Sequence, residues 1–436
     1  MSRKDAVEDE VRRQYEQYPY PERKPEDEAK RLVPTVANFL AKINFYCFQG
    51  RSRFQDFRAL VAGAGTGDAV IFLAEQLRGR DAEVVYLDPS RASMEIAQRR
   101  AAVRGLDNIV WLQHSLFDIP QLDIGEFDYI NCSGVLHHLE DPPAGLKTLT
   151  SVLREDGAMS IMLYGKYGRT GVYQLQALLR LINGDDNDLQ AKIANTRKVL
   201  QDLPPGNWFR RGAELFDDPL KDSDIEVYDL LLHAQDRAYS IPELYEFVRN
   251  GGLNFVDFAC GQKQLYNPAN YLRDRSILER IARLDRELQH SVAELLSGAM
   301  IKHVFYLSKR NDSVAQIDDL DNIPFYFRNL DQQIFQMIAN NPGREITLPL
   351  ADGTRPHVLL GRHSHHVLRQ IDGKRTLAEI LDRAAEQVDG PRPSSPDLLE
   401  DFRPAYNWLN EIEALLLRHR TVAPYESVQD MQRRLG

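Results

Sequence analysis

The chain has 436 residues, of which 43% are hydrophobic and 27% charged, and its formal net charge is −10. This composition is that of a globular protein with room for two or three domains, and the acidic balance argues against a nucleic-acid partner. The three cysteines lie far apart with no C-x-x-C pair, so we expect neither a disulfide framework nor a cysteine-rich zinc site. Neither a signal-like N-terminal segment nor an apolar run of about 18 residues is seen, so we expect a cytoplasmic protein without a membrane partner.

The stretch between about residues 57 and 164 alternates short apolar runs with helical patterns. This alternation is typical of βα units in a parallel sheet. The expected strands read FRALVA, AEVVYLD, NIVWLQH, FDYINC and AMSIMLY, and the expected helices cover roughly residues 68–77, 91–104 and 144–154. Ser90 is placed to cap the second helix, and Gly157 to end the third.

After Tyr164 the alternation stops, and polar, loop-rich helical sequence extends to about residue 252. Strand patterns return at LNFVDFACG and IKHVFYLSKR. We interpret them as late strands of the same sheet, separated by insertions at about 165–252 and 265–300, which often form lids or substrate walls. Residues 1–50 should form an N-terminal helical cap or leader, and residues 51–312 the α/β domain.

Residues 311–319 resemble a linker, and a small domain is expected over 313–436. EITLPLADGTRPHVLL predicts a hairpin with its turn at Asp352-Gly353. Two helices should follow, the second opened by a capping box of Thr376 and Glu379. A final helix should have Ser395 as its cap and Pro396 at its first position.

Four histidines crowd one part of this small domain. They are His357, His363, His365 and His366. A metal site needs converging ligands with supporting groups, and no cysteine or paired acid lies near them in the sequence. We therefore expect a solvated turn and no metal.

The first strand is followed by three glycines at alternate positions, Gly63, Gly65 and Gly67. A dinucleotide fingerprint would need its third glycine where Asp68 stands, and a phosphate loop would need a Gly-Lys-Ser/Thr ending. An acid in the first helical turn would also repel a pyrophosphate. The loop therefore favours a ligand without phosphate, with an NAD-dependent oxidoreductase or two ligand-free tight turns as alternatives. Asp88, at the end of the second strand, can accept hydrogen bonds from both hydroxyls of a ribose.

From about residue 57 to residue 169, and more loosely to residue 311, the chain resembles the class I S-adenosylmethionine-dependent methyltransferases. The resemblance rests on VAGAGTGD, VVYLDPSRASMEIAQRRA, NIVWLQHSLFDIP and the run FDYINCSGVLHHLEDPPAGLKTLTSVLREDGAMSIMLY. It implies a Rossmann-like α/β sheet with insertions and S-adenosyl-L-methionine as the cofactor. The segment IDGKRTLAEILDRA weakly resembles winged-helix modules, which implies a small α+β winged-helix-like C-terminal domain.

The resemblance also implies what each strand end binds. The glycine loop would face the methionine and sugar, Asp88 the ribose, the third-strand loop the adenine, and the fourth strand end the methyl donor. The expected donor-binding residues are Gly63, Ala64, Gly65, Thr66, Gly67, Asp88, Pro89, Ser115, Leu116, Cys132, Ser133 and Gly134. Val61 and Ser115 stand where the family often has an acid, so a non-catalytic scaffold that binds adenosylmethionine or adenosylhomocysteine stays an alternative.

The segment QYEQYPYPERKPEDE resembles the leader of a bacterial subgroup of these methyltransferases. Tyr18 and Tyr20 of such a leader could fold over the donor. The alternative is a proline-rich extended segment on the surface.

The methyl acceptor is less clearly marked. His137 and His138 follow the fourth strand, and we take His137 as the candidate base or acceptor-orienting group, with a packing role as the alternative. Tyr164 is the second catalytic candidate. Further residues that could face the acceptor are Tyr167, Arg169, Tyr173, His233, Asp236, Arg237 and Tyr239.

The end of the fourth strand narrows the choice of acceptor. It reads NCSG and lacks the Asn/Asp-Pro-Pro-aromatic motif of nucleobase amine methylation, while the DPP at 141–143 lies too late in the chain. We expect a peptide or protein side chain, or a small metabolite, and no nucleic acid. The C-terminal module suggests a peptide acceptor or a role in homodimerisation.

Overall fold

The computed structural model describes residue 16 and residues 18–184, 188–216, 224–233, 235–259, 263–328, 332–348 and 353–434. Its centre is a mixed sheet with the strand order β3-β2-β1-β4-β5-β8-β7. These strands are β1 (Phe57–Ala62), β2 (Ala82–Leu87), β3 (Ile109–Leu112), β4 (Phe127–Ser133), β5 (Leu153–Gly165), β7 (Asn254–Phe258) and β8 (Lys302–Ser308), and the short β6 (Ala238–Tyr239) pairs with the end of β5. Strands β1 to β5 run parallel, whereas β8 is antiparallel to both of its neighbours. The predicted Rossmann-like sheet is confirmed.

Both faces of this sheet are buried. Alternate residues of β1 enter two different apolar clusters, with Ala59 and Val61 in one and Leu60 and Ala62 in the other. This follows from the two-residue period of a strand, and burial on both faces explains why the strands read as continuous apolar runs. The helices of the domain core are α1 (Leu40–Cys47), α2 (Asp68–Gln76), α3 (Arg91–Arg104) and α4 (Pro142–Ser151).

The helix boundaries in this part agree with the sequence in most places. Ser90 caps α3 as predicted, because its hydroxyl accepts a hydrogen bond from the Ser93 amide. The prediction for Gly157 is wrong: α4 ends at Ser151, and Gly157 lies within β5. The pairing of β4 with β5 shifts register here, and a Cβ on Gly157 would lie 3.1 Å from the Asp128 carbonyl oxygen. The glycine therefore permits a close strand approach.

The first insertion is a helical subdomain between β5 and β6. It contains α5 (Thr170–Asn183), α6 (Leu189–Asp202), α7 (Trp208–Arg211) and α8 (Asp224–Val227), and α8 continues into a π-helical turn over Tyr228–Leu232. Val172, Leu175, Phe209 and Leu231 belong to an apolar cluster of its own. The subdomain can therefore cover the sheet edge without sharing the main core.

The chain returns to the sheet through α9 (Ile241–Asn250), and the second insertion carries α10 (Arg275–Ile281) and α11 (Arg286–Ser297). Ser240 precedes α9, and its amide and hydroxyl both donate to the Glu243 carboxylate at 2.8 Å. Ser240 and Glu243 thus form a capping box for α9, which begins at Ile241 with Pro242 second. None of the described helices is both long and apolar enough to span a bilayer.

The C-terminal region contains two small antiparallel strand pairs and five helices within the described residues. β9 (Asn322–Tyr326) pairs with β12 (Leu415–His419), and β10 (Glu345–Thr347) with β11 (His357–Leu359). The helices are α12 (Gln332–Ala339), α13 (Ser364–Gln370), α14 (Leu377–Ala385), α15 (Ser395–Glu411) and α16 (Val428–Arg433). The hairpin is therefore observed, but Asp352 of its predicted turn lies outside the described residues.

The helix caps of this region were predicted in part. The capping box of Thr376 and Glu379 is confirmed. The cap of α15 is Ser394, whose hydroxyl accepts from the Asp397 amide, so Ser395 is the first helical residue and Pro396 the second. The choice of Ser395 was therefore wrong by one residue, because two adjacent serines both fit the capping pattern.

The segment at 313–317 holds the C-terminal region against the α/β domain. The Ala315 amide donates to the Phe45 carbonyl oxygen, and the Ser313 hydroxyl to the Tyr46 carbonyl oxygen, both at 2.8 Å. Lys42 of α1 forms an ion pair with Glu413 at 2.6 Å, and both side chains are buried. One apolar cluster extends from β1 into α13, α14 and α15, so the two regions share a core.

Candidate functional site

A cavity of about 930 Å³ opens where β1, β2, β3 and β4 end. This is the size of a typical small-molecule site. Parallel strands end at the same edge of a sheet, so their loops converge there. The predicted residues that line the cavity are Gly63, Ala64, Gly65, Asp88, Pro89, Ser115, Leu116, Ser133, Gly134, Tyr20 and Tyr164.

The glycine loop after β1 is shaped by close contacts that exclude a side chain. Gly65 has a φ of +52°, and a Cβ there would lie 2.6 Å from the Tyr20 carbonyl oxygen. A Cβ on Gly63 would lie 2.2 Å from a methyl group of Val135. The loop therefore presents bare backbone to the cavity on one side and to the leader on the other.

Asp88 is the buried carboxylate of the site. Its Oδ2 accepts from the Gly65 amide and its Oδ1 from the Ser90 amide, both at 2.8 Å. Burial raises the pKa of Asp88 to about 6, although these two hydrogen bonds oppose the shift. Each carboxylate oxygen can accept a second hydrogen bond, so the group can also bind the two hydroxyls of a ribose.

In the loop after β3, Asp118 provides the carboxylate that position 115 lacks. Ser115 caps a 3-10 helix over Leu116–Gln121, and Asp118 accepts from the Ser115 amide at 3.0 Å. Asp118 itself lines the cavity. The loop therefore has its carboxylate three residues later, where the S-x-x-D spacing of a capping box could have indicated it.

The leader lies across the glycine loop and is held there by ion pairs. Arg23 pairs with Asp68 at 2.7 Å, and Arg100 of α3 pairs with Asp68 at 2.8 Å and with Glu28 at 2.5 Å. Burial opposes the ionisation of Asp68, but the hydrogen bond from Arg23 and the charge of Arg100 keep the pKa of Asp68 below its usual value. Asp68 thus anchors the leader to the glycine loop and to α3.

The two tyrosines of the leader have different positions. Tyr20 lines the cavity, and its carbonyl oxygen accepts from the Thr66 amide at 3.3 Å. Tyr18 does not line the cavity; it stacks on Tyr228 of the first insertion, with ring centres 5.7 Å apart, and its hydroxyl accepts from Gln190. The leader therefore joins the glycine loop to the insertion and does not run free on the surface.

Besides Tyr18, three predicted donor-binding residues do not line the cavity. Thr66 is buried and its hydroxyl donates to the Pro21 carbonyl oxygen at 2.7 Å. Cys132 is buried in the core, because successive residues of β4 face opposite sides and Ser133 is the exposed one. Gly67 precedes α2, where a Cβ would lie 2.8 Å from the Ala97 side chain. These three residues lie outside the cavity lining and pack against the segments that form it.

Of the two histidines after β4, His138 lines the cavity and His137 does not, which is the reverse of the expectation from the sequence. His137 is fully buried, does not line the cavity, and stacks on Tyr164 with ring centres 3.8 Å apart. His138 lines the cavity and stacks on His233. The choice of His137 as the acceptor-side histidine is therefore not supported by position, because the 3-10 turn over Leu136–His138 rotates the second ring toward the cavity.

One hydrogen bond of His138 shows which of its ring nitrogens carries the proton. Its Nδ1 lies 3.0 Å from the Gln235 carbonyl oxygen, which can only accept, so Nδ1 carries the proton and Nε2 keeps a lone pair. Burial lowers the pKa of His138 to about 4, and burial also lowers the pKa of His137 well below its usual value. Both rings are neutral near neutral pH, and His138 offers an acceptor nitrogen.

Tyr164 ends β5 at the cavity wall, and Arg169 covers its ring. The guanidinium carbon of Arg169 lies 3.6 Å from the ring centre, and its Nη2 lies 3.4 Å from the buried Asp236 carboxylate. Of the other acceptor-side candidates, Arg169 lines the cavity, whereas Tyr167, Tyr173, His233, Asp236, Arg237 and Tyr239 do not. Asp236 and His233 instead hold Arg169 and His138 in place.

Several lining residues were not expected from the sequence. They are Pro34, Thr35, Val36, Ala37 and Asn38 after the leader, Glu226 and Asp229 of the first insertion, and Met162, Leu215, Phe216 and Lys302. The residues after the leader and those of the insertion lie in segments without a recognisable motif. The i, i+3 spacing of Glu226 and Asp229 could have indicated one shared helical face. Among the described residues, no cluster of three or more potential metal ligands occurs.

Comparisons with known proteins identify a methyltransferase domain in this part of the chain. A family model described as a methyltransferase domain matches residues 60–159. An uncharacterized protein of Synechococcus sp. is 31% identical over 340 residues, which is 74% of this chain and 76% of that protein. The tRNA 5-carboxymethoxyuridine methyltransferase of Escherichia coli is 33% identical over 115 residues, so this chain covers 42% of its length.

Among solved structures, that of PKMT2 from Rickettsia typhi in complex with AdoHcy superimposes with a TM-score of 0.56 at 15% identity, covering 92% of this chain and 76% of that one. This likeness shows the fold. The glycine loop, the buried Asp88 and the absence of a phosphate-binding motif fit the methionine and ribose of adenosylmethionine, and these features together define a class I methyltransferase site. The chain is an S-adenosylmethionine-dependent methyltransferase with its methyltransferase domain over residues 60–159, and it belongs to one family with the Synechococcus protein.

Proposed function

We propose that this methyltransferase acts on a side chain of a peptide or protein, with a small metabolite as the second class of acceptor. The observation that carries the proposal is a single cavity that joins the donor loops to a separate set of side chains. Tyr164, His138 and Asp229 line the same space as Gly65 and Asp88. The site therefore has room for an acceptor beside the donor.

The residues of the chain position the reactants. Bound adenosylmethionine would supply an activated methyl group for an acceptor lone pair, with adenosylhomocysteine as the leaving group. Asp88 and the glycine loop would hold the donor, and Tyr164 with His138 can orient the acceptor. The leader and the first insertion cover the cavity and exclude water from it.

A polypeptide acceptor is favoured by the surface beside the cavity. Arg169 and Leu215 both line the cavity. Arg169 directly precedes α5, and Leu215 lies shortly after the end of α7. Trp208 of α7 is 56% exposed, and its backbone lies against Gly171, two residues after Arg169. An exposed aromatic side chain near a site suits a surface that binds a polypeptide.

A nucleic-acid acceptor is not part of the proposal, although one relative is a tRNA methyltransferase. The net charge is −10, and carboxylates of Asp118, Glu140, Glu226 and Asp229 line the cavity. Such a wall would repel phosphates. The cytoplasmic location, the homodimer and the winged-helix-like character of the C-terminal region stay predictions.

The experiment that tests the proposal is transfer of a radiolabelled methyl group from adenosylmethionine into a size-fractionated cell extract. Label in the protein fraction supports a polypeptide acceptor, and label in the low-mass fraction supports a metabolite. Tyr164→Phe should reduce this transfer but leave the affinity for adenosylhomocysteine unchanged, since its hydroxyl lies on the acceptor side. No incorporation in either fraction, despite donor binding, would contradict the proposal.

A further inference from the structure

The chain from residue 18 to residue 38, here called the strap, comprises most of the leader and the loop that follows it. Both ends of the strap line the cavity, with Tyr20 and Pro21 at one end and residues 34–38 at the other. Its middle lies outside the cavity and contains one short element, the 3-10 helix over Pro25–Ala29. Because the strap has no core of its own, its position depends on the contacts that hold its middle.

The middle of the strap packs against the C-terminal helix α16. Met431 of α16 is buried and forms one apolar cluster with Leu32 of the strap and with Ile71 and Phe72 of α2. α2 is the helix that follows the glycine loop. A side chain from the C-terminal helix therefore joins the strap to the helix that begins at the donor loop.

Polar contacts from the next residue of α16 reinforce this packing. The side-chain amide of Gln432 donates to the Ala29 carbonyl oxygen at 3.4 Å, and its oxygen accepts from Arg104 at 3.0 Å. Arg104 also forms an ion pair with Glu28 at 2.5 Å, and both of these side chains are almost fully buried. α16 thus holds the strap directly at Ala29, and indirectly through the arginine that binds Glu28.

The contacts continue from the strap to the glycine loop. Arg100 of α3 donates to the Glu28 carboxylate at 2.5 Å and to the Thr66 carbonyl oxygen at 2.7 Å. The Thr66 amide donates to the Tyr20 carbonyl oxygen at 3.3 Å, and the Thr66 hydroxyl to the Pro21 carbonyl oxygen at 2.7 Å. The contacts therefore form an unbroken series from α16 through the strap to the donor loop.

We propose that α16 positions the donor site: Met431 and Gln432 hold the strap, and the two cavity-lining ends of the strap contact the bound donor. Docking of α16 and binding of the donor then favour the same arrangement of the strap, so each strengthens the other by the same factor. Met431 and Gln432 do not line the cavity, so they are positioning residues that act through the strap. The inference concerns donor binding alone and is independent of which acceptor is methylated.

The first test is calorimetric titration of adenosylhomocysteine into variants of the full chain. Met431→Ala removes the apolar contact with the strap, and Gln432→Ala removes the two polar contacts. Each variant should bind adenosylhomocysteine about fivefold to tenfold more weakly, although the altered side chain lies outside the cavity. Arg433→Ala is the matched control, because this exposed side chain pairs with Asp430 inside the same helix. Its affinity should equal that of the wild type.

The second test uses the wild type, so its outcome does not depend on the folding of any variant. Amide hydrogen exchange is followed over residues 18–33 and 428–433 with and without adenosylhomocysteine. A ligand that favours the docked arrangement lowers the population in which α16 is undocked. Exchange in both segments should therefore slow about fivefold to tenfold when the ligand is bound.

Two results would overturn the inference even though the donor binds. One is protection confined to the strand-end loops, with exchange over residues 428–433 unchanged. The other is an unchanged affinity in both Met431→Ala and Gln432→Ala, or an equal loss in Arg433→Ala. If adenosylhomocysteine does not bind the wild type, the donor site falls and the inference falls with it. Failure to find a methyl acceptor, with both tests as expected, would contradict the proposed function and leave this inference supported.

Discussion

The donor half and the acceptor half of the cavity are built from different kinds of chain segment. The donor half of the cavity, where adenosylmethionine is expected to bind, is formed by the strand ends between residues 61 and 134. It presents backbone groups of the glycine loop and the buried Asp88 carboxylate. The acceptor half combines the leader, the end of β5 and the first insertion, and its contacts are side chains. The expected donor site is thus built from one continuous part of the sheet, whereas the expected acceptor site depends on segments that are distant in sequence.

The leader connects the two halves. It is tied to the donor half through Asp68, Glu28 and Arg100, and to the insertion through the stacking of Tyr18 on Tyr228. The C-terminal helix reinforces this arrangement, since Met431 packs with Leu32, Ile71 and Phe72 in one cluster. We therefore expect changes at the leader to affect stability and donor binding together.

The largest expected effect is on stability, from Arg100→Met. The side chains of Arg100 and Glu28 are almost fully buried, and loss of the guanidinium leaves Glu28 with Arg104 and Asp68 with Arg23 as remaining ion-pair partners. The free energy of unfolding should fall by about 3 kcal/mol in urea denaturation. Arg91→Met is the control, because the exposed Arg91–Glu95 pair should contribute less than about 1 kcal/mol. Equal small losses in both variants would show that the leader is not anchored in this way.

The next effect separates the two histidines of the acceptor half. His138→Phe keeps a ring against His233 but removes Nε2, the ring nitrogen that can accept a hydrogen bond. The rate of methyl transfer should therefore fall about tenfold to 100-fold. The affinity for adenosylhomocysteine should stay unchanged. The rate is measured as adenosylhomocysteine released in the presence of the active extract fraction. A loss with His137→Phe and none with His138→Phe would restore the role that the sequence suggested for His137.

A smaller effect tests the contact between the glycine loop and the leader. Gly65→Ala places a Cβ against the Tyr20 carbonyl oxygen and in a left-handed backbone conformation, so adenosylhomocysteine should bind about tenfold more weakly. Gly79→Ala is the control, since Gly79 also has a positive φ but no atom lies within 4 Å of its Cβ position. Calorimetric titration of both variants gives the comparison. An unchanged affinity for Gly65→Ala would mean that the leader moves aside freely.

The smallest effect is a pH dependence confined to the donor half. The pKa of Asp88 is raised to about 6, and ribose hydroxyls need the ionised carboxylate as acceptor. Protonation competes with binding, so the affinity for adenosylhomocysteine should fall about twofold as the pH drops from about 7.5 to about 6. Asp88→Asn should bind weakly at both values and show no such change. The same slope in Asp88→Asn would assign the titration to another group.

The sequence indicated most of the strand-end residues that line the cavity, because their signals are local. Three glycines, the cap at Ser90 and the acid at Asp88 each lie next to a strand whose apolar run is unmistakable, and parallel strands bring their ends together. The errors there were small and had local causes. Cys132 and Ser133 face opposite sides of the sheet because side chains alternate along a strand. Gly157 allows β4 and β5 to approach closely, and the sequence of one strand alone does not reveal that contact.

The acceptor half was predicted poorly for a physical reason. Its residues come from segments that are distant in sequence, and their meeting depends on how helices pack. Asp229 enters the cavity from a π-helical turn, and Asn38 from a loop without a motif. The choice between His137 and His138 depended on the rotation of one 3-10 turn, which no hydrophobic period encodes.

The most direct test of the central claim is calorimetric titration of adenosylhomocysteine into the wild type and Asp88→Ala, with NAD as the control ligand. We predict clear binding to the wild type, a loss of about 100-fold in Asp88→Ala from the removed ribose hydrogen bonds, and no binding of NAD. Binding of NAD in place of adenosylhomocysteine, or equal affinity of both proteins for adenosylhomocysteine, would contradict the assignment of the donor site.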